Sequence, residues 1–241
     1  MISSEALAAR LAETRERIAT AARGAGRHPG DVMLLGVTKT HPPALARAAV
    51  ELGLADLAEN RVQELLAKRT EVPGARWHLV GRLQRNKVKD IVGTHTLVHS
   101  VDRRSLVDAL SARAERDGVV QRLLVQVNVG DDPAKGGCSL TETEGLVAYA
   151  RARPNLAVEG LMTILPLPPD GADPAEQARP LFGALRAQRD VLRERFPEVV
   201  HLSMGMSADL EAAVAEGATM VRVGTALFGP RGDGPWRKDA A

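Results

Sequence analysis

The stretch Val32-Met33-Leu34-Leu35-Gly36-Val37-Thr38-Lys39-Thr40 decides how the rest of the chain is read. Its apolar residues follow one another without polar alternation and stop at His41-Pro42-Pro43. An uninterrupted apolar run of this length suits a parallel strand covered on both faces. Lys39 then stands just beyond that strand, at the rim of a core. Partial desolvation of an amine at such a place disfavours the ammonium form, the condition under which a lysine forms imines. The structural alternative is a strand-end lysine that simply reaches water.

Outward from this stretch the same pattern repeats. Strands are expected at Val32–Val37, Leu54–Ala58, Arg76–Val80, Thr96–Val101, Arg122–Val129, Ala157–Ile164, Val200–Met204 and Met220–Val223. Helical spacing falls between them, near 43–52, 61–69, 84–92, 103–116, 141–153, 174–195 and 208–217. An additional N-terminal helix, Ser4–Arg23, places Leu7, Leu11 and Ile18 on one face, with Ser4 available as its cap. Eight strands alternating with helices through short connections predict an α/β fold, a single (β/α)8 TIM-type barrel. An open doubly wound sheet is the alternative. No compositional shift divides the chain, and Pro166 to Pro174 reads as a loop, so residues 1–241 are taken as one domain.

Composition narrows the functional classes. The 241 residues are 44% hydrophobic and 26% charged, ordinary for a globular protein. Lys and Arg total 32 against 30 for Asp and Glu, and aromatics are 2%, which argues against nucleic-acid binding. The single cysteine, Cys138, rules out an intrachain disulfide and a cysteine-based metal cluster and reads as an incidental thiol. No metal site is expected. No apolar stretch reaches the length of a membrane span, and Glu5, Glu13 and Glu16 argue against a transit peptide, so a cytoplasmic protein is expected.

In a barrel of this type the ligand site lies at the carboxyl ends of the strands. Polar residues gather there: Lys39, Glu59-Asn60, His78, Gln84, His99, Asp102, Gln126, Asn128, Thr163, Ser203, Arg222, Gly224 and Thr225. The last two loops, Ser203-Met204-Gly205-Met206-Ser207 and Gly224-Thr225-Ala226-Leu227-Phe228-Gly229, have the composition of a phosphate cradle. Ser207 has a simpler reading as the cap of the following helix. Alternation within Met220-Val221-Arg222-Val223 points Arg222 opposite Val221 and Val223, into the barrel. A buried arginine needs an acceptor. A ligand ring nitrogen or carboxylate would serve, and so would an internal pair with Glu59. An amine, a phosphate cradle and an inward arginine together suggest pyridoxal 5'-phosphate (PLP).

Several ordered segments carry a family resemblance. They are Gly36-Val37-Thr38-Lys39-Thr40, Ala58-Glu59-Asn60-Arg61-Val62-Gln63-Glu64, Trp77-His78-Leu79-Val80-Gly81-Arg82-Leu83-Gln84-Arg85-Asn86-Lys87, Gln126-Val127-Asn128-Val129, Glu159-Gly160-Leu161-Met162 and His201 to Gly229. The sequence resembles the pyridoxal phosphate homeostasis proteins (the YggS/PROSC family), similar in fold to the N-terminal barrel of alanine racemase. The resemblance implies that Lys39 carries PLP as an internal aldimine and that Arg222 faces the pyridine nitrogen. It also implies that Ser203, Gly224 and Thr225 hold the phosphate, with Asn60 close to the cofactor. Arg82 and Arg85 stand where the family suggests Pro and Ser, which bears on loop shape and charge at the cofactor mouth.

The related racemases use a second acid/base, commonly a tyrosine from a partner subunit, and carry a separate β-domain. Tyr149 is the sole tyrosine here and falls inside a helix, and the barrel leaves no length for the β-domain. The expectation is therefore a monomeric PLP-binding protein that stores, buffers or delivers the cofactor to apo PLP-dependent enzymes, with no catalytic residues assigned. The alternative is a weak amino-acid racemase using Lys39 with His78 or water. A class I aldolase is a third reading. Lys135, on the loop after strand five, is either a transient second amine for the cofactor or a solvated loop lysine.

Overall fold

Each apolar run identified above forms a strand, and helical segments cover the ring of strands from outside. The computed structural model describes residues 2–230; Met1 and residues 231–241 of the expected domain lie outside it. In order, the elements are α1 (Ser4–Gly24), β1 (Met33–Val37), α2 (Pro43–Glu51), β2 (Asp56–Glu59), α3 (Val62–Glu71) and β3 (Arg76–Leu79). Then come α4 (Val88–Ile91), β4 (Leu97–Val101), α5 (Arg104–Asp117), β5 (Gln121–Gln126), α6 (Leu140–Arg151) and β6 (Leu156–Met162). The chain continues through α7 (Pro174–Arg195), β7 (His201–Ser203), α8 (Leu210–Ala215), β8 (Met220–Val223) and α9 (Thr225–Phe228).

The strands close into a barrel in the order β1 to β8, with every neighbouring pair parallel. Closure is made by β8 on β1, where Leu35 pairs with Arg222 and Gly36 with Val223. The open-sheet alternative is thereby excluded. Leu35, Val37, Ala58, Leu97, Leu124, Met162 and Met220 fill the barrel interior. Leu34, Leu57, Val98, Val125, Leu161 and Val221 face the helices. Burial on both sides is why these strands show no polar alternation. A fully buried leucine contributes roughly 1.5–3 kcal/mol, so both layers are needed to hold the ring closed.

Differences from the sequence expectation lie at element ends. Ser3, not Ser4, caps α1, its Oγ accepting from the Ala6 N–H at 3.2 Å. The expected helix over 84–92 is a 3-10 turn, Arg85–Lys87, followed by the single turn of α4. Helix α9 occupies what read as a loop, and its Leu227 and Phe228 are buried. Leu7, Leu11 and Ile18 bury the inner face of α1, which packs against α8 and α9. This joins the N-terminal helix to the same end of the chain that closes the barrel.

Candidate functional site

A cavity of about 510 Å³ opens at the carboxyl ends of the strands. Its size is in the range of small-molecule sites. Lys39, Asn60, Arg222, Gly224 and Thr225 all line it, alongside the apolar Val37, Ile164 and Met206. Five of the six residues expected at a ligand site therefore meet on one wall.

Lys39 is delivered by a constrained turn rather than by the strand itself. β1 ends at Val37, Thr38 is wholly buried, and Thr40 takes a left-handed backbone conformation with φ 66°. A threonine pays for φ > 0 sterically, so surrounding bonds must impose it. The Thr40 N–H donates to Glu64 Oε2 at 2.9 Å. Lys68 Nζ donates to the Thr38 carbonyl at 2.7 Å and to Glu59 Oε1 at 2.5 Å, and the Thr38 hydroxyl donates to the same oxygen at 2.6 Å. Lys68 and Glu59 have no exposed side-chain surface. Burial pushes the Glu59 carboxyl up, with the Lys68 ammonium opposing it. The expected alternative partner of Arg222 is thus corrected: Glu59 is held by Lys68. Glu64 and Lys68 are an i,i+4 pair, a spacing that ordinarily marks a solvated helix face, which is why this pair escaped the sequence reading.

Arg222 points into the barrel, as alternation required, and is 5% exposed. Its Nη1 donates to the Ser203 carbonyl at 2.7 Å and to Ser203 Oγ at 2.9 Å; its Nη2 donates to the Thr163 carbonyl at 2.8 Å. Burial pushes the guanidinium down to about 10, against the pull of Asp209, so it remains a cation at neutral pH. A guanidinium carries five N–H donors, and these bonds leave two for a ligand acceptor in the cavity. Ser203 needs correction. It is wholly buried and absent from the cavity wall, its hydroxyl shared between Arg222 and His99.

Ser207 stands on the wall instead, beside Gly224 and Thr225. It does not cap α8, whose N-cap residue is Asp209. Asp209 Oδ1 accepts from the Met206 N–H at 2.5 Å and so pins the loop after β7. Gly205 has φ 90°, and a Cβ there would lie 2.4 Å from Ala213 Cβ, so this close turn requires glycine.

Arg82 and Lys135 also reach the cavity wall, as does Asp102, which pairs with Arg103; Arg85 is not on the wall. His78, the second base named in the racemase alternative, is buried in the barrel interior and is not among the residues of the cavity wall. Tyr149 lies on the outer helical layer, its hydroxyl donating to Asp108 Oδ1 at 2.8 Å and its ring under Arg153 at 4.0 Å. Cys138 is buried and its Sγ donates to the Gln126 carbonyl at 3.4 Å; burial raises its thiol, consistent with an unreactive role. Among the described residues no group of His, Cys, Asp and Glu is placed to hold a metal, and no helix is long and apolar enough to cross a membrane.

The donor set of the cavity fits PLP: an amine for its aldehyde, a pinned cation with spare donors for its ring, and hydroxyl and backbone donors for its phosphate. The family profile for the N-terminal domain of alanine racemase matches residues 4–232. A pyridoxal phosphate homeostasis protein of Aquifex aeolicus is 45% identical over 92% of this chain and 97% of its own. One of Pseudomonas aeruginosa is 40% identical over 93% and 96%. PipY of Synechococcus elongatus, solved with PLP bound, superposes with a TM-score of 0.79 at 36% identity, covering 92% of this chain and all of its own. An alanine racemase from Streptomyces lavendulae shares the fold at 20% identity and a TM-score of 0.75, this chain spanning 57% of it. With a fold, a cavity wall and near full-length relatives in agreement, the chain belongs to the pyridoxal phosphate homeostasis protein family, built on the alanine racemase N-terminal barrel.

Proposed function

We propose that this protein binds PLP covalently through Lys39 and acts in PLP homeostasis, storing, buffering or delivering the cofactor without robust catalysis of its own. The observation that carries the proposal is the shared cavity wall of Lys39 and Arg222, the arginine pinned by three hydrogen bonds with two donors left over. When bound, PLP supplies an aldehyde that condenses with a primary amine and a pyridine ring that can accept electrons. Lys39 offers the amine. Gly224, Thr225 and Ser207 offer backbone and hydroxyl donors to the phosphate, and Asn60 lines the same cavity. Ser203 contributes through Arg222.

Arg222 is the residue that favours holding over catalysis. A cation donating hydrogen bonds to the ring nitrogen leaves that nitrogen unprotonated and weakens the ring as an electron sink. The positions of Tyr149 and His78, both off the cavity wall, support the same reading. All these groups come from one chain, so the proposed site needs no second subunit. Apo PLP-dependent enzymes are the proposed recipients.

Borohydride reduction of the PLP-loaded protein followed by peptide mapping tests the attachment. The pyridoxyl adduct is expected on Lys39, and an adduct elsewhere overturns the assignment. Racemisation assays across L-amino acids test the absence of catalysis: turnover of about 1–1,000 s⁻¹, the usual enzymatic range, would sink the carrier reading.

A further inference from the structure

A file of buried polar side chains crosses the barrel from Arg222 to its opposite, amino-terminal mouth. Ser203 Oγ lies 2.9 Å from Arg222 Nη1 and 2.9 Å from His99 Nδ1. His99 Nε2 lies 3.0 Å from His78 Nδ1, and His78 Nε2 lies 3.3 Å from Asp56 Oδ1. The groups come from β8, β7, β4, β3 and β2; the step from Ser203 on β7 to His99 on β4 crosses the interior, and the others join neighbouring strands. Ser203 and His99 are wholly buried, and His78 and Asp56 nearly so. At the far end, Arg76 grips the Asp56 carboxylate through Nε at 2.7 Å and Nη2 at 2.5 Å.

One assignment of protons satisfies every member. A guanidinium only donates, so Ser203 Oγ accepts from Arg222 and turns its own proton to His99 Nδ1. Burial, with Arg222 nearby, holds the His99 imidazole well below its usual range, so it is neutral. Accepting at Nδ1, it carries its proton on Nε2 and donates to His78 Nδ1. His78 then keeps its proton on Nε2, facing the Asp56 carboxylate, which can only accept. The opposite tautomer of His99 would leave the Ser203 hydroxyl proton without an acceptor, a costly arrangement in a closed interior.

We infer that His99 and His78 are positioning residues: with Ser203 they form a one-way hydrogen-bond relay that ties Arg222 to the Asp56 carboxylate on the other side of the barrel and sets how Arg222 is presented to the cavity. A buried cation without a carboxylate in hydrogen-bonding contact thereby gains an anionic anchor at a distance, and a polarised chain is stronger than its separate bonds. The relay itself stands on the protein alone; its consequence for PLP rests on the function proposed above.

Imidazole and guanidinium ¹⁵N spectra of the full-length, cofactor-free protein test the relay. Both His78 and His99 should show the neutral Nε2–H pattern. Asp56→Ala should move the ring signals of His99, which it does not touch, and Ser203→Ala should move those of His78 and of the Arg222 guanidinium. Ser203→Thr, which keeps a hydroxyl, should restore the wild-type pattern. An Nδ1–H tautomer or imidazolium at either histidine, or His99 signals indifferent to Asp56→Ala, overturns the relay. In PLP titrations, Ser203→Ala should weaken binding about tenfold, the scale of one hydrogen bond to a charged group. Unchanged affinity, with the spectra as expected, overturns the link to the cavity. Failure of the wild-type protein to bind PLP overturns the functional reading alone, because the spectra judge the relay separately.

Discussion

Lys68 Nζ sits 2.5 Å from Glu59 Oε1 with neither side chain exposed, and the same amine holds the carbonyl of Thr38, the residue before Lys39. The position of Lys39 is thus tied to an ion pair in the core. Removing one partner strands the other charge, whereas removing both does not. Lys68→Met should destabilise the protein by roughly 3–5 kcal/mol in urea unfolding. Lys68→Met with Glu59→Met should recover most of that loss. Equal destabilisation by the single and double variants would show that the pair contributes nothing as a pair.

Asp56 gives the fold an acid sensitivity. Burial works to raise its carboxyl, but the hydrogen bonds from His78 and Arg76, with the Arg76 charge, outweigh it and hold the group at about 2 against a usual 3.8. A carboxylate held low in the folded state adds stability above its unfolded pKa and loses it as pH falls through the folded value. The gap corresponds to about 2 kcal/mol, lost between about pH 4 and pH 2. Denaturation midpoints measured across that range should fall in the wild-type protein, and Asp56→Asn should flatten that part of the decline.

Gly81 holds Asn60 in place by leaving room for it. A Cβ at Gly81 would lie 2.1 Å from the Asn60 carbonyl oxygen, and that neighbour is backbone, which cannot turn aside. Gly81→Ala should cost about 1–3 kcal/mol by overpacking. Because Asn60 lines the cavity, PLP titrations of this variant should show weakened binding as well. Normal affinity with lowered stability would separate Asn60 from the cofactor.

Lys135 lines the same cavity as Lys39, and its carbonyl accepts from Gln126 Nε2 at 2.9 Å, which brings the loop after β5 to the mouth. Lys135→Ala should leave the pyridoxyl adduct on Lys39 and slow transfer of PLP to an apo-enzyme. A transfer time course identical to wild type would return Lys135 to the solvated-loop reading.

The barrel was legible in the chain because its signal is local. Met33–Val37 is apolar throughout, and Met220–Val223 apolar but for Arg222, because each is buried on both faces, and this is written into consecutive residues. The inward direction of Arg222 was equally legible, since alternation along a strand is a property of the backbone alone. So was the gathering of Lys39, Asn60, Gly224 and Thr225, because strand ends in this fold point to one mouth.

Partners across the barrel were not legible. Which group holds Arg222, Glu59 or something else, depends on distances between strands that share no sequence neighbourhood. Ser203 looked like a phosphate ligand from its loop, yet closure turns it beneath Arg222 and against His99, 104 residues away. Nothing in the sequence singles out Lys68, yet packing of α3 on β2 buries its amine against Glu59. Sequence by itself determined the strands, their inward faces and the mouth at which chemistry collects. Tertiary structure alone decided which charges are paired, because a buried charge takes its partner from whatever the closed barrel brings within hydrogen-bonding distance.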